Sequence, residues 1–311
     1  MTEEYKLKIF LRSKGMSAIS SDFATVKACR KKGVLYYAQL DGKVKALSVI
    51  ECGCKDLGEL IPELNSLEYL NLSKNNLHSL QYLPTTLQEL NLSRNKLSSL
   101  GFLSGLKKLQ VLDLSHNELK DITVLSELRQ LRDLNLWMNE IDDASSLSGL
   151  TNLQKLNICW NSLGDLSFLG KLVTLRELYL RKNRIQDISP ISALTELTNL
   201  WLNDNFIRDL TPLSNLKKLE VLNIANNRIR DLSPLKPLKN IKRIHLQNNF
   251  IEDLSPITEM KLSSLNFSNN SVRTIRPLLN MKTLVSLNMK GNPVEDAELL
   301  ESMPQLRKIV A

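Results

Sequence analysis

The sequence predicts an α/β fold: a right-handed solenoid (horseshoe) with a parallel β-sheet on its concave side and short 3₁₀ or helical turns on its convex side. Three observations carry this. Asparagine recurs at positions 75, 95, 117, 139, 161, 183, 205, 227, 249, 270 and 292, and eight of the ten spacings are 22 residues, the others being 20 and 21. Apolar residues keep fixed places around each asparagine; the cleanest copy reads Leu219-x-x-Leu222-x-Ile224-x-x-Asn227-x-Ile229-x-x-Leu232. Finally, a 22-residue period leaves room for a strand and a turn but not for a long helix.

Within each copy the L-x-L core, such as Leu222-x-Ile224, alternates inward and outward as a short strand does. No single copy can bury its leucines alone, so neighbours stack and the strands pair in parallel. The asparagine turns inward where the chain leaves the strand, and its amide meets backbone groups left unpaired by the turn. A period of 20–29 residues with L-x-x-L-x-L-x-x-N is the signature of leucine-rich repeats. The chain resembles the short-repeat branch of that family, the SDS22-type and internalin-type repeats, over residues 44 to 311. SDS22-type relatives bind a protein phosphatase through the concave face, so the resemblance implies a phosphatase-regulatory role. The internalin-type likeness implies a bacterial effector or adhesin-like protein as the alternative.

Residues 1–43 fall outside the template and read as a basic N-terminal cap of strand, helix and hairpin. Tyr5, Leu7, Ile9 and Leu11 alternate with Lys6, Lys8 and Phe10, which predicts a strand. Ile19, Phe23 and Val26 share a face of a helix over Ser17 to Lys32, with Gly33 as its C-terminal glycine. Val34 to Leu40, Asp41-Gly42 and Lys43 to Val49 read as a hairpin. Twelve repeats then fill 44–292. In the degenerate first one Cys52 takes the asparagine place and Cys54 a leucine place, as buried thiols and not metal ligands.

From Asn117 onward an aspartate follows each asparagine by four residues: Asp121, Asp143, Asp165, Asp187, Asp209, Asp231 and Asp253. Each is expected to bond the backbone of its own turn. A Ser or Thr comes two residues later, often before proline, and reads as the N-cap of the outer turn. The Asp-[Ile/Leu]-[Ser/Thr]-Pro-[Leu/Ile] phrase carries the internalin-type resemblance. Residues 293–311 read as a C-terminal cap, an amphipathic helix and a final strand in register with Leu284, Leu287 and Met289.

The net charge of +8 is concentrated in the head: residues 1–46 hold ten Lys/Arg and four Asp/Glu, a balance of +6. A solvated cap is the expected reading of that charge. A nucleic-acid-associated factor using the head is a further alternative, though nucleic acid is not the expected partner. The four cysteines show no paired framework, which points to a reducing compartment. With neither an apolar leader nor an 18-residue apolar run in the chain as given, a cytoplasmic location and no membrane span are expected.

No catalytic spacing is present. His78, His116 and His245 lie in different repeats, and there is no phosphate-cradling glycine loop or nucleophile elbow. The chain is therefore read as a non-enzyme with no cofactor, no metal and no small-molecule substrate. The informative residues are those four, two and one before each asparagine, because they face out of the sheet or lie at its edge. All three tryptophans fall there, Trp137, Trp160 and Trp201, with Met138, Tyr179, Arg181, Lys182 and His245. These eight are the expected contact residues for another protein on the concave face. Tyr179 and Trp201 hold equivalent places on adjacent strands and are expected to touch.

Overall fold

The computed structural model describes residues 2–13, 18–28, 34–51 and 60–311. Cys29, Cys52, Cys54, Gly33 and the basic run Arg30, Lys31, Lys32 lie outside the described residues. The chain divides into two compact units, Met1–Leu153 and Gln154–Ala311.

The first unit opens with helix α1, Glu3–Ser13, then strand β1, Ala18–Ser20, helix α2, Phe23–Ala28, and strands β2, Leu35–Leu40, and β3, Lys43–Val49. The head is thus helix, strand, helix and hairpin. The strand expected at residues 5–11 is a helix. Leu7 and Leu11 are buried while Tyr5 and Ile9 are exposed, so the apolar spacing that matters is four and not two. Glu3 and Glu4 sit in the first turn and Arg12 in the last, as the helix dipole favours. Glu3 also accepts from the N–H groups of Val44 (2.8 Å) and Ser66 (3.0 Å), tying the helix to the hairpin and to the first repeat. The long helix expected over 17–32 is likewise replaced. Ser21 N–H bonds Tyr37 O at the end of β1, and Asp22 accepts from Thr25 N–H at 2.9 Å to begin the short α2. The hairpin forms as expected, β2 against β3 antiparallel, and β2 thereby occupies the outer edge of β3.

Strands β4, Tyr69–Asn71, β5, Glu89–Asn91, β6, Val111–Asp113, and β7, Asp133–Asn135, then follow β3 in chain order, each parallel to its neighbour. The second unit continues the pattern. It holds β8, Lys155–Asn157, β9, Glu177–Tyr179, β10, Asn199–Trp201, β11, Val221–Asn223, β12, Arg243–His245, β13, Ser264–Asn266, β14, Ser286–Asn288, and β15, Lys308–Val310. Within this unit every pairing is parallel and in register, for example Leu178, Leu200, Leu222 and Ile244 across four strands. The fold is an α/β solenoid of the expected kind.

The outer turns are 3₁₀ helices of three to six residues. Their start differs from the expected N-cap. Ser189 is the first residue of its turn and no side chain caps it from the Ile188 position. The bond comes from Asp187, whose carboxylate accepts the Ser189 N–H at 2.8 Å. The same carboxylate-to-N–H bond, two residues on, is made by Asp121, Asp143, Asp165, Asp209, Asp231 and Asp253. The hydroxyls of Ser189 and Ser233, and after them these backbone bonds, hold the Asp187 and Asp231 carboxyls below the usual carboxylate range. The aspartate row is thus turn chemistry, as expected. The C-terminal cap helix is a 3₁₀ turn, Ala297–Ser302, with no buried residue of its own.

The ladder asparagines work as a shared bond system. Asn183 donates to Ile158 O of the preceding repeat (3.0 Å) and Leu180 O of its own (3.1 Å), and accepts Leu163 N–H at 3.0 Å. Asn205, Asn227 and Asn249 repeat the set.

Candidate functional site

The strand face carries a second polar row, four residues before each ladder asparagine, whose bonding role the repeat pattern did not reveal. Asn71, Asn91, Asp113, Asn135, Asn157, Asn223, Asn266 and Asn288 each accept the backbone N–H two residues on, at 2.9–3.2 Å. The strand end is thus closed locally by its own side chain. Three repeats break the row: at 179, 201 and 245 a Tyr, a Trp and a His stand where the acceptor would be. Two residues beyond the latter two, Asn203 Oδ1 and Gln247 Oε1 are buried polar atoms with no hydrogen-bond partner among the described residues.

A further row was also missed. The residue just before each ladder asparagine lies in the left-handed region, from Lys74 (φ 61°) through Met138 (59°), Trp160 (55°) and Lys182 (54°) to Gly291 (72°). Glu51 (φ 53°) shows that the first, degenerate repeat turns in the same way. Asn, Asp and Gly tolerate that conformation, and they fill it at Asp204, Asn226, Asn248, Asn269 and Gly291. A tryptophan or methionine there is strained. The signal was in the sequence as an Asn/Asp/Gly bias at one place of the period.

In the second unit the expected residues form two contacts. Tyr179 and Trp201 meet edge-on, ring centroids 5.7 Å apart at 64°. The Tyr179 hydroxyl donates to Glu177 Oε2 at 2.7 Å, and burial followed by that carboxylate pushes its pKa up to about 12. Beside them Lys182 Nζ lies 3.5 Å from the centre of the Trp160 ring, and Arg181 Cζ is 5.9 Å from it. Arg181 already holds a carboxylate: its Nε is 2.8 Å from Asp204 Oδ2. His245 stands on β12, half-buried, its pKa lowered by burial and then by Arg243. Trp160, Tyr179 and Trp201 are also half-buried, so the face is a set of fixed rings and not a loose apolar patch.

Asp204 anchors a polar chain along the left-handed row. Asn226 Nδ2 donates to Asp204 Oδ1 (2.7 Å), Asn248 Nδ2 to Asn226 Oδ1, and Asn269 Nδ2 to Asn248 Oδ1 (2.7 Å). Cys159, two before Asn161, is buried, and burial pushes its thiol to about 12, so it is not a nucleophile at neutral pH.

In the first unit Trp137 packs edge-on to His116, centroids 4.4 Å apart, and Met138 is exposed. Burial, then Arg94, lowers the His116 pKa. Among the described residues no group of three His, Cys, Asp or Glu could hold a metal, and no helix is long and apolar enough to cross a membrane.

Comparison with known proteins now decides the family. The profile for leucine-rich repeats (two copies) matches residues 85–127, 173–215 and 217–259. Internalin C2 of Listeria monocytogenes is 34% identical over 57% of this chain and 79% of its own, with a TM-score of 0.56. This chain belongs to the leucine-rich-repeat family. An internalin of the same organism, inlF, is similar over 85% of this leucine-rich-repeat chain and 86% of its own, at 27% identity and a TM-score of 0.73. A plant peptide hormone receptor solved with its peptide RGF2 shares the fold, at 21% identity, 94% and 57% coverage and a TM-score of 0.69. No curated protein matches the sequence. Membership in the leucine-rich-repeat family points to a protein-interaction scaffold, a fold that is typically non-catalytic.

Proposed function

We propose that the chain is a non-catalytic protein-binding scaffold whose contact face in the second unit is centred on Tyr179, Trp201 and His245, with Trp160, Arg181 and Lys182 along its edge. The supporting observation is the broken row of strand-end caps. Eight repeats keep a side chain that closes the local backbone, and three carry a ring instead. Giving up a local bond of about 1 kcal/mol at chosen repeats is what a binding face costs a scaffold. Large, fixed aromatics suit a partner's hot spot, since little side-chain freedom is left to lose. Trp137 and Met138 would make a separate contact on the first unit.

Two partner classes were named by resemblance, a protein phosphatase and a host protein met by a bacterial effector or adhesin. The likeness to internalins supports the second. Residues 1–43 serve as a cap on the edge of β3, and the nucleic-acid alternative rests on Arg30, Lys31 and Lys32, which lie outside the described residues.

The test is affinity capture with the full chain and with Trp201→Ala, followed by titration of the captured protein. Binding should weaken by about 2 kcal/mol or more, roughly thirtyfold, with thermal stability changed far less. A Trp201→Ala protein that is folded and binds its partner normally would reject the strand-face assignment. Purified phosphatase catalytic subunit, added in parallel, separates the two partner classes.

A further inference from the structure

A different surface of the second unit carries two rows of outward-facing side chains. One residue past each ladder asparagine the chain forms single backbone bonds to the preceding repeat: Phe206 N–H to Ile185 O (2.9 Å), Arg228 N–H to Ile207 O (2.9 Å) and Phe250 N–H to Ile229 O (2.8 Å). Ile207, Ile229 and Ile251 are buried, so the residues on either side of each point outward in fixed rows. One row reads Arg184, Phe206, Arg228, Phe250; the other reads Gln186, Arg208, Arg230, Glu252. Phe206 and Phe250 remain 39% and 48% exposed, large apolar rings that the core does not use. Arg228 lies over the Phe206 ring at 4.9 Å and Arg230 over the Phe250 ring at 5.7 Å. Arg208, Arg228, Arg230, Asp231 and Phe250 line a cleft of about 470 Å³.

The guanidiniums of this cleft have no carboxylate at ion-pair distance among the described residues. The acids of adjoining repeats are engaged elsewhere: Glu196 with Lys218, Glu220 with Lys242 and Glu259 with Lys239. Asp231 turns its carboxylate to the Ser233 N–H and hydroxyl. Two exposed arginines, Arg228 and Arg230, are held against two phenylalanines, and Arg208 lines the same cleft. Arginine offers a planar fork to a carboxylate, and stacking on a ring holds that fork in place before any ligand arrives.

We infer that this flank binds an acidic segment of a protein partner, in which carboxylates meet Arg208, Arg228 and Arg230 and an intervening apolar side chain lies between Phe206 and Phe250. A nucleic acid would also bring negative charge and bases to stack. The flank disfavours it. Asp209, Asp231 and Asp253 follow directly along one side, with Glu252 in the outer row, and would repel a continuous phosphate backbone. Each ring also already carries a guanidinium on one face. A short segment with spaced charges avoids that acidic edge.

Fluorescence anisotropy on the full chain tests this with two labelled probes, a decapeptide of alternating glutamate and leucine and a ten-nucleotide oligothymidylate. The peptide should bind, more weakly as salt rises, and more tightly than the oligonucleotide. The double substitution Arg228→Glu with Arg230→Glu, and separately Phe250→Ser, should each weaken it at least tenfold. Lys171→Glu with Lys217→Glu, an equal charge change elsewhere on the outer turns, should leave it within twofold. If charge reversal lowers the melting temperature, Arg228→Gln with Arg230→Gln supplies the same comparison. Tighter binding of oligothymidylate, no binding of the peptide, or equal binding by folded variants would overturn the proposal.

Discussion

Three adjacent strands of the second unit share one backbone and divide into two kinds. On β11, Asn223 closes its own strand end by accepting the Ala225 N–H at 3.2 Å. On β10 and β12 the same place holds Trp201 and His245. The register is unchanged, with Trp201 opposite Asn223 and Asn223 opposite His245. The repeat therefore does not need the strand-end acceptor in order to fold. It needs the inward asparagine, which every repeat from 75 to 292 keeps, and it tolerates exchange of the outer acceptor for a ring. Positions the solenoid can release are where the proposed contact face lies.

Four experiments bear on that contrast. The largest effect should come from the row that never varies. Asn183→Ala leaves Ile158 O, Leu180 O and Leu163 N–H without their partner and should lower stability by about 1–3 kcal/mol, read from the denaturant midpoint. An unchanged midpoint would remove the distinction between the inner and outer rows.

Next, Asn223→Ala should cost about 1 kcal/mol, from the lost bond to Ala225 N–H. Trp201→Asn restores that kind of acceptor while losing the edge contact with Tyr179, terms of similar size at roughly 0.5–1.5 kcal/mol each. It should therefore be closer to wild type in stability than Trp201→Ala, yet no better at binding. If both variants melt alike, the strand-end cap contributes nothing measurable.

A smaller effect of opposite sign is expected at the left-handed row. Trp160→Gly relieves a bulky residue at φ 55° and gives up the stacking of Lys182, for a net change of about +1 kcal/mol or less in stability. A clear loss would mean that the Trp160–Lys182 contact outweighs the strain.

Smallest is a pH effect. Burial lowers the His245 pKa, so the folded state favours the neutral ring, while the unfolded chain protonates near the ordinary histidine value of about 6.5. The contribution of His245 is intact above that pH and is lost as pH falls through it toward the lower folded value. A melting series from pH 7.5 to 5 should show a shallower decline for His245→Gln. Equal slopes would place His245 in a solvated setting.

The solenoid was legible because its period is long and its apolar places are fixed, and a repeat that recurs eleven times averages out local ambiguity. The head shows the opposite limit. Leu7 and Leu11 fit a helical spacing of four, while Tyr5 and Ile9 mimic alternation, and only tertiary burial of one pair settles the matter. The contact of Tyr179 with Trp201 followed from their equivalent places. What could not be read was the partner of Arg181. Asp204 is 23 residues away in sequence, at a place where no other repeat with a ladder asparagine carries an acid, and its left-handed backbone is shared by residues as different as Trp160 and Gly291.

The surface amide chain running from Asn269 through Asn248 and Asn226 to Asp204 has a direction and an end. Every amide hydrogen in it points toward the carboxylate, and at the other end Gly291 leaves the space that a Cβ would take from Asn269 Oδ1. The inner asparagine row has no such ends, so gain or loss of one whole repeat leaves it intact. The surface chain is sensitive to location. An insertion between 226 and 248 would lengthen it, whereas one between 183 and 204 would part Asp204 from Arg181 and free a guanidinium beside Trp160. Repeats that are interchangeable inside the molecule thus have addresses on its surface. Duplication in this gene would be tolerated by folding and sorted by binding.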